Sequence, residues 1–107
     1  MTRIVAALCA VLAIAVGAFG AHGAAPQAAE WLKTGAFYQL IHVVAALVIM
    51  DQARRPALML LAGSGLFAGT LYLMALGLPR WLGAITPIGG VLMIGGWLWF
   101  AYSSRRI

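Results

Sequence analysis

Residues 4–21 read IVAALCAVLAIAVGAFGA, an apolar run without a charged side chain. A helix needs about 20 mostly apolar residues to cross the hydrocarbon core of a bilayer, and this run supplies nearly that many. Three further runs of the same kind follow, giving expected spans at 4–22, 31–50, 57–76 and 81–102. The second apolar run proper begins at Gly35, and its helix is expected to start near Trp31. The connections at 51–56 and 77–80 are so short that the helices they join must be antiparallel neighbours. Pro56 suits the first turn of a helix, where its missing N–H is no loss, and Gly77-Leu78-Pro79 reads as a stop followed by a restart. The expected fold class is all-α and integral to the membrane: an antiparallel four-helix transmembrane bundle, one transmembrane domain over 1–107.

Composition agrees. Hydrophobic residues make up 64% of the 107 and the mean hydropathy is +1.01, against roughly 45–50% apolar content in soluble domains. Seven basic and two acidic side chains could not coat a water-soluble surface of this size, and the apolar patches left in water would be larger than monomers tolerate. The net charge of +5 is dispersed singly or in pairs between apolar runs. It forms no basic stripe and accompanies no aromatic reader motif, so no nucleic-acid partner is expected. The charges orient the chain instead. Arg3, Arg54, Arg55, Arg105 and Arg106 fall on one side and Lys33 and Arg80 on the other, which places both termini in the cytoplasm. Trp31 and Trp81 would mark the outer interface, and Trp97, Trp99 and Tyr102 the inner one. Arg3, the apolar run and Ala21-His22-Gly23 also resemble a secretory leader with a small-x-small cleavage site. Because the run is long enough to span, it is expected to be retained.

Lipid supplies no hydrophobic force between helices, so close backbone approach and polar contacts must hold them together. The first helix carries Ala6, Ala10, Ala13, Gly17 and Gly20 on one face. The third carries Ala62, Gly65, Gly69 and Tyr72, and the fourth Gly89, Gly90 and Gly96. These stripes build the bundle, and at least one of them is a candidate face for a second copy or a membrane-protein partner. The polar residues are Tyr38, Gln39 and His42 on the second helix, Thr70 and Tyr72 on the third, Thr86 on the fourth, and His22 closing the first. By the expected topology they gather in the outer half of the membrane. Two readings stand side by side. In one, these groups bond each other and lock helix register. In the other they form a small polar pocket with His42 at its floor, an intramembrane ionisable residue of the kind that marks sites.

Specific chemistries find less support. His22 sits at the membrane edge and His42 about 12 Å deeper at 1.5 Å per residue, an awkward offset for a shared haem. Two histidines, the single Cys9 and the loop acids Glu30 and Asp51 fall short of a zinc ligand set. No catalytic residues, cofactor or metal are therefore expected, and the protein is expected not to be an enzyme. One cysteine allows no disulfide within the chain. A self-contained transporter would call for broken helices or charges within the spans. A homo-oligomeric pore built by symmetry stands as a third and lesser alternative, without the ring of charges or filter sequence that would support it.

The ordered set Gly17-Ala18-Phe19-Gly20-Ala21-His22, Gly35 with Tyr38-Gln39 and His42, Gly69-Thr70 with Tyr72, and Thr86-Pro87-x-Gly89-Gly90 covers nearly the whole chain. It resembles the small four-span membrane protein family known as domain of unknown function 423, the UPF0382 type, YgdD- and YwdK-like. The resemblance implies a multi-pass inner-membrane protein with no assigned reaction, and it brings no catalytic residues with it. The expected function is thus non-enzymatic association with membrane partners, or service as an accessory subunit. The alternative is binding of a lipid or small molecule in the polar pocket around His42.

Overall fold

The structure, a computed structural model, describes residues 1–105; Arg106, counted above among the orienting charges, lies outside the described residues. The chain forms α1 (Thr2–His22), α2 (Pro26–Ile49), α3 (Arg54–Ala75) and α4 (Thr86–Ser104), with a 3-10 turn at Arg80–Ala84 leading into α4. Four helices, the turn being counted with α4, are long and apolar enough to cross a membrane. Two boundaries differ most from the sequence reading. α2 starts at Pro26 rather than near Trp31, because Pro26 occupies the first turn, where it needs no N–H, and alanines with high helix propensity follow. The fourth span is divided, with the 3-10 turn reaching Ala84 and the α-helix restarting at Thr86-Pro87. α3 ends in a glycine cap. Gly77 has φ of 104°, the Leu78 N–H reaches the Leu73 carbonyl, and the Gly77 N–H reaches that of Met74.

Consecutive helices run antiparallel, as their contacting residues show. Gly17 lies beside Ala36 and Gly20 beside Leu32 on α1 and α2, Gly35 lies beside Ala68 and Tyr72 on α2 and α3, and Gly63 lies beside Gly89 and Met93 on α3 and α4. The expected bundle is open along one side. Contacts join α1 to α2, α2 to α3 and α3 to α4, with a slight one between α1 and α3. Among the described residues α1 and α4 share no comparable contact, so the helices form a bent row measuring 48 × 25 × 20 Å. Burial follows from that order. α1 buries only Ala6, Ala13 and Gly20, and α4 only Thr86, Gly89, Met93 and Gly96, one narrow stripe each. The central helices bury residues toward two neighbours.

Small residues set the spacing. A Cβ on Gly17 would lie 3.2 Å from that of Ala36, and one on Gly20 3.0 Å from that of Leu32. The tightest crossing joins α3 to α4, where a Cβ on Gly89 would meet the Phe67 nitrogen at 2.5 Å and the Gly63 carbonyl oxygen at 2.6 Å. Gly96 packs against Leu60, whereas Gly90 has only a Phe67 ring atom at 4.0 Å. The α3 contact corrects the sequence reading. Gly65 and Gly69, expected there at a helix contact, have nothing within 4 Å, and Gly63 makes the approach instead. Positions 63 and 65 are about 200° apart around a helix at 100° per residue, so α3 carries glycine on two opposed faces and only one of them meets α4.

Candidate functional site

Among the described residues six polar side chains on the spans form three hydrogen-bonded pairs, each joining two helices, while the buried Ser64 hydroxyl donates to the Leu61 carbonyl of its own helix at 3.2 Å. Gln39 on α2 is 3% exposed and its Oε1 accepts a hydrogen bond from the Tyr72 hydroxyl of α3 at 2.7 Å. The hydroxyls of Thr70 on α3 and Thr86 at the start of α4 bond each other. Around that pair the Leu66 and Phe67 carbonyls accept from Thr70 at 3.1 and 3.0 Å, and the Leu82 carbonyl accepts from Thr86 at 3.3 Å. Each threonine has one proton, so one donates to its partner and the other to a helix carbonyl, the back-bonding habit of threonine within helices. Neither hydroxyl is left over.

The third pair is His42 with Trp97, joining α2 to α4. The indole Nε1–H of Trp97 donates to His42 Nε2 at 3.0 Å, and His42 Nδ1 lies 2.7 Å from the Tyr38 carbonyl oxygen. An acceptor at Nε2 leaves Nδ1 to carry the hydrogen, so the neutral Nδ1–H tautomer satisfies both contacts at once. The two rings meet edge to face at 5.9 Å, and Tyr38 stacks on the other side of the imidazole at 6.3 Å. Arg3 pairs with Asp51 and Gly17 lies beside Ala36, which sets His42 level with the middle of α1. Trp97 therefore sits deep in the span and not in the inner aromatic belt where its place near the chain end had suggested.

The expected site residues do not line one pocket. Gln39 and His42 are buried at 3% and 7% exposure but turn toward different partners, while Tyr38 is 41% exposed and packs against Phe67. The Thr70–Thr86 pair is separated from His42–Trp97 by eleven residues of α4, about 16 Å. His22 is exposed at the end of α1 and takes part in none of these bonds. Among the described residues no buried side-chain nitrogen or oxygen lacks a partner. The sequence reading missed Trp97, yet a signal was present: Thr86, Gly89, Met93 and Trp97 recur at three- and four-residue steps along one face of α4.

The open space lies elsewhere. A groove of about 650 Å³ runs between α1, the start of α2 and the end of α3, walled by Leu12, Val16, Phe19, several alanines, Leu32 and Leu76, with Tyr72 as the single polar member. A second cleft of about 420 Å³ lies at the opposite end, between the first turns of α1 and α3.

A Tyr72→Phe variant removes one donor and leaves the buried Gln39 oxygen without a partner. It is expected to cost about 1 kcal/mol, near the upper half of the range for bonds between membrane helices. Gln39→Leu in the same chain should add little further loss. Reversible unfolding in mixed micelles, run as a double-mutant cycle, checks this: fully additive losses would mean that the two side chains do not interact.

Residues 16–90 match the family described as "Protein of unknown function (DUF423)". The chain is 36% identical over 115 residues to the UPF0382 membrane protein SH2409 of Staphylococcus haemolyticus, an alignment covering 96% of this chain and 93% of that one. It is 35% identical over 118 residues to the UPF0382 inner membrane protein YgdD of Escherichia coli, covering 97% and 88%. A fission-yeast relative, the UPF0382 membrane protein C1782.12c of Schizosaccharomyces pombe, is 34% identical over 108 residues, covering 87% and 92%. No solved structure matches the chain.

Proposed function

Since the chain belongs to the DUF423 family of membrane proteins, we propose that it works by association within the bilayer and not by catalysis. In this reading it is a multi-pass protein of the bacterial inner membrane with both termini in the cytoplasm. Its partner is a second copy or another membrane protein, which it meets as an accessory subunit. The observation that carries the reading is the bare glycine face of α3. Gly17, Gly20, Gly35, Gly63, Gly89 and Gly96 all touch a neighbouring helix, whereas Gly65 and Gly69 touch nothing within 4 Å. The Gly-x-x-x-Gly spacing lets two helix backbones approach closely in lipid, where packing must replace the hydrophobic effect. The exposed Leu58, Ala62 and Leu73 continue the stripe on which Gly65 and Gly69 lie half-buried. The polar side chains, being consumed in pairs, support a structural part for the three interhelical bonds.

The test is Gly69→Ile. A Cβ there has nothing within 4 Å, so the melting temperature in micelles is expected to hold within a few degrees while co-purification of a second copy or partner from membranes is lost. A chain that is monomeric and alone in mild detergent and in nanodiscs, native and variant alike, would end this reading. A second reading, binding of a lipid or small apolar molecule, is favoured by the 650 Å³ groove beside Tyr72 and so moves away from His42, whose ring nitrogens are both engaged.

A further inference from the structure

We propose that the cleft between the first turns of α1 and α3 binds the phosphate of an anionic membrane lipid. The cleft has a volume of about 420 Å³ and is lined by Met1, Thr2, Arg3, Met50, Asp51 and Arg54. Its charges do not balance. Asp51 is the one carboxylate in the lining, and a single Arg3 nitrogen holds its Oδ1 at 2.8 Å, with the two side chains 54% and 89% exposed. Among the described residues Arg54 meets a neutral hydroxyl and no carboxylate, its Nη2 donating to Thr2 Oγ1 at 3.2 Å. One arginine side chain among the described residues of the cleft is thus left without a counter-charge, and the exposed Arg55 follows directly.

Position selects the occupant. At about 1.5 Å per residue the 21 residues of α1 match a hydrocarbon core of roughly 30 Å, so the first turn of α1 lies at the edge of that core, from where arginine side chains reach the lipid phosphates. Guanidinium groups donate in a planar fork that fits phosphate oxygens, and several can share one phosphate. The helix starts add to this. Neither α1 nor α3 has a side-chain cap or an acidic residue in its first turn, which leaves two positive dipole ends facing the cleft. Arg3, Arg54 and the Thr2 hydroxyl would then hold the phosphate while the acyl chains run down the outside of α1 and α3. This site is separate from the α3 glycine face and does not depend on it.

The experiment is native mass spectrometry of the full chain released from micelles doped equally with phosphatidylglycerol and phosphatidylcholine. The native chain should retain phosphatidylglycerol in preference, and Arg3→Gln and Arg54→Gln should each cut that preference about fivefold. Arg105→Gln, on the Tyr102 ring at the end of α4, should leave it unchanged. Asp51→Asn removes the competing carboxylate and should raise retention. Far-UV circular dichroism checks folding, and if an arginine variant unfolds, Asp51→Asn decides alone. Equal retention of the two lipids, a preference indifferent to Arg54→Gln, or weaker retention in Asp51→Asn would each overturn the proposal. Inorganic phosphate raising the melting temperature as much as phosphatidylglycerol would assign the cleft to a soluble anion and overturn it too.

Discussion

Gly89→Ala is expected to cost about 3 kcal/mol, the top of the usual range for overpacking. The reason is the identity of the atoms in the way. A methyl group at Gly89 would sit 2.5 Å from the Phe67 nitrogen and 2.6 Å from the Gly63 carbonyl oxygen, and these are backbone atoms that cannot rotate aside. All of α4 would have to back away from α3, which would also pull Thr86 from Thr70 and Trp97 from His42. Gly69→Ala is the matched control: it makes the same chemical change in the same kind of helix with nothing within 4 Å, and its effect should stay within about 0.5 kcal/mol. Unfolding of both variants in mixed micelles, followed by circular dichroism, compares them directly. If Gly89→Ala were as stable as Gly69→Ala, α3 and α4 would not cross on a glycine contact.

Gly35→Ala should also be damaging, at about 2 kcal/mol. Its Cβ would meet the Tyr72 ring at 2.8 Å and the Ala68 Cα at 3.4 Å. The ring is held in place by its hydroxyl on Gln39, so relief of the clash breaks that bond. The two effects are linked, which gives a sharper readout than stability alone. In a Tyr72→Leu background the added methyl should cost much less than it does in the native chain. Equal losses in both backgrounds, measured by the same unfolding assay, would show that the ring is not what Gly35 makes room for.

The spans were legible because a membrane helix announces itself by length and by the absence of charge. The first turns of α2 were not, since Gln27, Glu30 and Lys33 break the apolar pattern there and only Pro26 and the alanines mark a helix. The packing face of α1 was legible: Ala6, Ala13 and Gly20, three of its five expected small residues, are buried, and Gly17 touches Ala36. On α3 the same reasoning chose Gly65 and Gly69 over Gly63 because they repeat. A repeat of small residues shows that a backbone can be approached, but it does not say by what. The polar residues were found as a group but not as pairs, because pairing depends on how far one helix is shifted along the next. Trp97 was missed for a related reason: a tryptophan near the end of a chain reads as an interface anchor until a partner is found at its own depth.

The open row has a consequence for how the protein is made. Among the described residues the three side-chain bonds deep in the spans join α2, α3 and α4; α1 meets its neighbours there through apolar contacts, such as Gly17 on Ala36 and Gly20 on Leu32, and its polar bonds, Thr2 with Arg54 and Arg3 with Asp51, lie at its first turn. Of the four segments, the one made first is thus the one with no polar group deep in the bilayer that must wait for later sequence. It can slip sideways from the insertion machinery into lipid at once, while the three that follow stay together until their donors and acceptors have met.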